Sequence, residues 1–254
     1  MFNRSAAMTD LPYRRINESG ASPIVIICDH ASNRVPAPYG DLGLPAVEFQ
    51  RHIAWDIGAA GITEILARRF DAPAILSQVS RLLIDCNRHF EDSTLTPAIS
   101  DGTAVPANQS LSHAERDHRW QTYHQPYHQA VRDALERKLA SDREPILLSI
   151  HSMAPVMKSI ARPWQIAVCW AEDQRLSTPM LKALRARPDI VVGDNEPYRL
   201  DPRDDYSTPV HAMHRGLRHL QVEFRQDEVA DAAGQQRWAR LFGDCLEETL
   251  RTAR

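Results

Sequence analysis

The chain has 254 residues, 25% charged and 43% hydrophobic, with a formal net charge of −3, all ordinary for a soluble globular protein. That balance excludes a general attraction to nucleic acid or to anionic membrane. No apolar core suited to a signal peptide opens the chain and no run approaches the ~20 apolar residues of a membrane span, so a cytoplasmic protein is expected.

One domain over residues 1–254, with its core at about 22–252, is the expectation for this length. In chain order, strands are predicted at Ile24–Cys28, Ala74–Leu76, Leu82–Asp85, Ile146–Ile150, Ile166–Trp170, Ile190–Val192 and Leu220–Phe224. Helical periodicity marks Ala54–Phe70, Ser112–Ala140, Thr178–Ala186, Tyr206–Gly216 and Gly234–Thr252. Near-continuous apolar strands alternating with helices predict an α/β three-layer sandwich, its mixed and largely parallel sheet covered on both faces. Two irregular stretches, Glu91–Leu111 and Asp194–Pro209, are long enough to be functional loops. The four cysteines are scattered without a CxxC pair and are expected as reduced thiols.

The informative pattern is what stands at the strand ends. IVIICDH ends on Asp29 and His30, SRLLIDCNR on Asp85, Asn87 and Arg88, ILLSIHS on His151 and Ser152, and HLQVEFR on Glu223 and Arg225. On parallel strands these groups share one edge and can converge in one crevice. Two histidines and a carboxylate from separate segments are what a catalytic zinc requires, since it takes three protein ligands and keeps one position open. A glutamate nearby can take a proton from the attacking water, and arginines can steady an oxyanion or clamp a carboxylate. The inventory fits hydrolysis of an amide next to a carboxylate.

The segments CDHASNRVP, HIAWDIGA, SRLLIDCNR, IHSMAP, GDNEPY and QVEFRQDEV, in that order from Ile24 to Val229, resemble the N-formylglutamate amidohydrolases. The fold of that family is related to the zinc carboxypeptidases and aspartoacylases. The resemblance implies zinc as cofactor, His30 and His151 as ligands, Glu223 as general base and Arg81 as the group polarising the scissile carbonyl. It implies Asn87 and Arg88 as the holders of the substrate carboxylate, and a small N-acyl amino acid such as N-formylglutamate as substrate. The chain departs from the wider pattern at one place. His30-Ala31-Ser32-Asn33 has an amide where a carboxylate ligand is expected, which makes Asp56 the preferred third ligand, with Asp29 and Asn33 as alternatives.

Smaller signals have competing readings. His52 and Asp56 would share a helix face and could be hydrogen-bonded. His124 and His128 have metal-pair spacing, but Pro126 between them and the absence of HExxH favour a structural role. Tyr198 on its long loop could cover the substrate and donate a hydrogen bond, or anchor the loop. Arg225, two residues beyond Glu223, could meet substrate or pair with Asp227. No GxSxG, GxGxxG or GxxxxGK[ST] is present, which excludes the usual serine-hydrolase and nucleotide motifs. A carboxylate-binding protein without catalysis, and a carboxypeptidase acting on peptides, are the alternatives to an amidohydrolase.

Overall fold

The computed structural model describes residues 11–141 and 143–252. Among them run eleven strands: β1 (Tyr13–Ile16), β2 (Ile24–Cys28), β3 (Ala74–Ser77), β4 (Ile99–Ser100), β5 (Thr103–Ala104), β6 (Ile146–Met153), β7 (Val156–Met157), β8 (Ile160–Ala161), β9 (Ile166–Cys169), β10 (Val192–Asp194) and β11 (Arg218–Arg225). The helices are α1 (Ala59–Arg69), α2 (His113–Arg119), α3 (Gln125–Leu139), α4 (Ser177–Arg185), α5 (Ser207–His211) and α6 (Ala232–Thr252). Seven strands form one sheet in the order β1-β3-β2-β6-β11-β9-β10, and β4-β5 and β7-β8 are separate hairpins. Strands β3, β2, β6 and β11 are mutually parallel; β1 and β9 run antiparallel to their neighbours β3 and β11, and β10 follows β9. This is the mixed, largely parallel α/β sheet that the strand composition predicts.

Alternation along the central strands divides the core between the two faces. Ile24, Ile26 and Cys28 of β2 face the layer of α1, α4 and α6, where Ile62, Leu66, Met180 and Phe242 are buried. Val25 and Ile27 face the other layer, against Tyr127, Val131 and Leu135 of α3. A third cluster, built on Leu42, Ile53, Leu82, Leu83, Ile84 and Leu95, lies under the irregular segments that surround the site.

Leu82–Asp85 is the expected strand that does not form. Ser80 turns the chain there: its carbonyl accepts from the N–H groups of Leu83 and Ile84, and its hydroxyl accepts from the N–H of Leu82 and donates to the carbonyl of Ala54. The apolar run is buried in the third cluster, so hydrophobicity without ladder pairing produces a packed turn. The helix expected from Ala54 starts only at Ala59, because Gly58 at φ 83° turns the chain first. A Cβ at Gly58 would lie 2.2 Å from the carbonyl oxygen of Val229, so the turn requires glycine. The predicted Ser112–Ala140 helix is continuous from α2 to α3, capped by Ser112 accepting from the N–H of Glu115, with a π turn at Trp120–His124. No helix among the described residues is long and apolar enough to cross a membrane.

Candidate active site

Strand β2 delivers Asp29 and His30 to the carboxyl edge of the sheet. The backbone N–H of Asp56 donates to the carbonyl of His30 at 2.9 Å, which fixes the turn before α1 beside that strand end. His151 lies within β6 and is paired in register with Glu223 on β11, so the two side chains stand on one face of adjacent parallel strands.

The two histidines face one oxygen. His30 Nδ1 lies 3.3 Å and His151 Nδ1 3.0 Å from Oδ2 of Asp56. Their far nitrogens are also held. His30 Nε2 meets Asp85 Oδ1 at 2.7 Å, and His151 Nε2 faces Ser149 Oγ at 3.1 Å and Asp29 Oδ2 at 3.4 Å. Asp29 is itself fixed, accepting from Tyr127 Oη at 2.7 Å and Ser207 Oγ at 2.8 Å. Arg81 grips Asp85 Oδ2 with Nε at 3.1 Å and Nη2 at 2.8 Å, and reaches Asp56 Oδ1 with Nη1 at 3.4 Å.

Burial works against ionising Asp29, Asp56 and Asp85, yet each carboxyl is held below its usual range, Asp29 and Asp56 by the histidines and Asp85 chiefly by Arg81. Three carboxylates against one guanidinium leave a surplus of two negative charges. Burial and Arg81 oppose charge on His30 while Asp85 and Asp56 raise it, and Asp29 and Asp56 raise His151 well above its usual value despite its burial, so the surplus favours the protonated rings. A divalent cation would meet the same surplus with neutral histidines. His30, Asp56 and His151 offer ligand atoms within 4.8 Å of one another and can hold a metal ion. With both Nδ1 atoms on Asp56 and carboxylates behind both rings, the donor set fits one.

Glu223 is the group set apart from this network. It is buried, its carboxyl has no hydrogen bond to any described residue, and burial pushes that carboxyl up to about 7, with His151 lowering and Asp56 raising it. A carboxyl poised near neutrality in a cleft is suited to move a proton.

His30, Asp56, Arg81, Asp85, His151 and Glu223 line a cavity of about 420 Å³, within the range of small-ligand sites. Of the residues expected from sequence, His30, Asp56, Arg81, Asn87, Arg88, His151, Tyr198 and Glu223 all line it. Arg225 does not. It is turned to Asp227 by bonds of 2.7 and 3.1 Å, reaches Glu228 at 3.3 Å, and donates to the carbonyls of Arg162 and Pro163. Arg225 is the last residue of β11, in register with Met153, and its long side chain follows the carboxylates of Asp227 and Glu228 just beyond the strand end. Asn33 also lies apart from the histidines, donating to the carbonyl of Phe49 at 2.8 Å.

Asn87 is largely occupied. Its amide oxygen accepts from the N–H groups of Tyr206 and Ser207, both at 2.9 Å, and its Nδ2 donates to Asp205 at 2.8 Å, which ties the 201–208 loop to the cavity. Arg88 donates through Nη1 to the carbonyl of Asn87 and through Nε to Thr94, leaving Nη2 without a hydrogen bond to a described residue. His52 is in a turn, not a helix, and its Nε2 lies 3.3 Å from Asp101. His124 and His128 hold no metal cluster with described residues; each donates through Nε2 to a carbonyl, of Arg88 at 3.1 Å and of Cys86 at 2.7 Å. They clamp the backbone on either side of Asn87.

The supporting partners were the part hidden in sequence. Asp85 stands out in sequence only as a strand-end acid and Asp29 as an alternative metal ligand, and nothing about Ser149, Ser207 or Asp205 signals that they meet the histidines or the Asn87 loop.

Two solved structures share this architecture. A gene product of Agrobacterium tumefaciens is 29% identical, covers 96% of each chain and superposes with a TM-score of 0.93. An N-formylglutamate amidohydrolase from Ralstonia eutropha JMP134 is 21% identical over 96% of this chain and 97% of its own, with a TM-score of 0.67, and shares the fold. No curated protein matches the sequence. The N-formylglutamate amidohydrolase family model matches residues 22–230, a span that takes in every group around the cavity, and the chain therefore belongs to that family of hydrolases acting on amides.

Proposed function

We propose that the protein is a zinc-dependent amidohydrolase that cleaves a small N-acyl amino acid, foremost an N-formyl amino acid such as N-formylglutamate, to a carboxylate and a free amine. The observation that carries this reading is Glu223: a buried, unbonded carboxyl raised to about 7, in register beside His151 and open to the cavity. His30 Nδ1, His151 Nδ1 and Asp56 Oδ2 would hold the metal. When bound, zinc supplies a Lewis acid that makes water a competent nucleophile near neutral pH.

The chain's own groups account for the remaining work. Glu223 accepts the proton of the attacking water and returns it to the departing amine nitrogen, which balances the reaction without a further acid. Arg81, fixed between Asp85 and Asp56, faces the carbonyl oxygen as it gains charge. Arg88 Nη2 takes the substrate carboxylate, with Asn87 contributing mainly by fixing the loop behind it. Tyr198 donates from the rim of the cavity. Four buried, unpaired thiols are in keeping with the reducing cytoplasm.

The test is an assay of chelator-stripped and zinc-reloaded protein against N-formyl and N-acetyl amino acids with acidic and neutral side chains, with dipeptides in parallel. Zinc-dependent release of formate is expected, with dipeptides inert. Glu223→Gln should lose at least ~1,000-fold in kcat and still bind about one zinc. Equal turnover by stripped protein would overturn the zinc reading, and retained turnover in the glutamine variant would remove Glu223 from proton transfer.

A further inference from the structure

Arg162 follows the β7-β8 hairpin and is only 8% exposed, yet it has no carboxylate within ion-pair distance among the described residues. A buried guanidinium without an acid is costly, so its contacts must do something that a neutral side chain would not. Those contacts converge on one ring. Nη2 donates to Tyr198 Oη at 2.7 Å, and the guanidinium carbon lies 4.8 Å from the centroid of the same ring. The arginine is held in place by Nη1 donating to the carbonyl of Ala154 at 3.4 Å and by its backbone N–H donating to Pro155 at 2.8 Å.

Hydrogen-bond direction gives this geometry a consequence. A guanidinium only donates, so the Tyr198 oxygen accepts and its own O–H is left for an acceptor elsewhere. Tyr198 lines the cavity with Glu223 and Arg81, whereas Arg162 is not among the residues that line it. A cation donating to a phenol oxygen also polarises it and strengthens its O–H as a donor.

We infer that Arg162 is a positioning residue that sets Tyr198 as a hydrogen-bond donor into the cavity, aimed at the carbonyl oxygen that gains negative charge as the amide is attacked. The inference rests on the amidohydrolase reading above. Arg162 acts through the phenol and does not touch substrate. Replacing it therefore loosens Tyr198 without disturbing His30, Asp56 or His151, none of which it bonds.

The test is a double-mutant cycle on kcat and KM in the zinc-loaded enzyme, joined to an ultraviolet titration of the Tyr198 phenol in metal-free protein, with Tyr198→Phe as the subtraction blank. Tyr198→Phe is expected to lower kcat by ~100-fold, and Arg162→Gln by about 10-fold with KM nearly unchanged. The double variant should be no slower than Tyr198→Phe alone, and Arg162→Lys should recover part of the loss. In the titration, Arg162→Gln should move phenol ionisation to higher pH. Equal losses from Arg162→Gln in the wild-type and Tyr198→Phe backgrounds would overturn the inference, as would an unmoved phenol titration. Wild-type kinetics in Tyr198→Phe would overturn the donor role, while zinc-dependent turnover of the N-formyl substrate in that variant would leave the amidohydrolase reading standing.

Discussion

Asp85 serves three partners at once. One oxygen meets His30 Nε2 and the N–H of Asn87, and the other takes both nitrogens offered by Arg81. The orientation of a proposed metal ligand and that of the proposed carbonyl-polarising group therefore depend on one carboxylate. In Asp85→Asn an amide cannot satisfy a histidine N–H and a guanidinium together. Zinc affinity is expected to fall by about 10- to 100-fold, read by competition with a chromogenic chelator. Wild-type affinity would show that the tautomer of His30 is set without Asp85. At this scale the groups that meet the cavity were largely legible, because strand-end His, Asp, Glu and Arg residues announce themselves against apolar runs. For Arg225 the sequence left two partners open, substrate or Asp227, and the structure shows the pairing with Asp227, because carboxylates at the strand end lie within reach of its guanidinium.

At the scale of elements, the continuous α2–α3 helix carries histidines whose work is to donate. His128 Nε2 donates to the carbonyl of Cys86, so its Nδ1 is bare and accepts from His211 Nε2 at 2.8 Å. Burial lowers His124 and His211 to about 3 and His128 well below its usual value. Their folded pKa values lie below the unfolded ~6.5, so the unfolded chain binds more protons on acidification. The stability they contribute is complete above pH ~6.5 and is lost as pH falls toward 3. Each neutral buried histidine is expected to cost about 1–2 kcal/mol between pH 7 and pH 5. Urea unfolding of metal-free protein at the two pH values should show a smaller difference for His211→Gln than for the wild type, and an equal difference would place the acid sensitivity elsewhere. The helix spacing that paired His124 with His128 was visible in sequence. That they face backbone carbonyls and not a metal was not, because their partners lie about 40 residues away on a segment whose apolar run read as a strand.

For the whole molecule, the cavity exists because β2, β6 and β11 run parallel and bring their chemistry to one edge. The proposed ligands come from the end of β2, the turn before α1 and the middle of β6, so a bound metal joins three segments that are remote in the unfolded chain. Zinc binding only the folded state at 100 times its Kd should stabilise by about 2.7 kcal/mol, raising Tm by roughly 5–10 °C for a domain of this size. Calorimetry of the stripped and zinc-loaded protein reads this directly. An unchanged Tm under saturating zinc would argue against these three residues as a metal site.

Sequence by itself determined the alternation of apolar strands with amphipathic helices, and hence the α/β class, because side-chain period and burial are local properties of the chain. It also determined which residues could do chemistry, since a polar group ending a buried strand has few other reasons to be there. Only the tertiary structure decided which of them meet. It seats Asp56, neither Asn33 nor Asp29, against both histidines, because Gly58 and the His30 carbonyl bend the chain before α1. It set Asp29 and Asp85 behind the rings, and it put Arg162 against Tyr198. Each of those pairings spans many residues and depends on strand order and loop course, which no local pattern encodes.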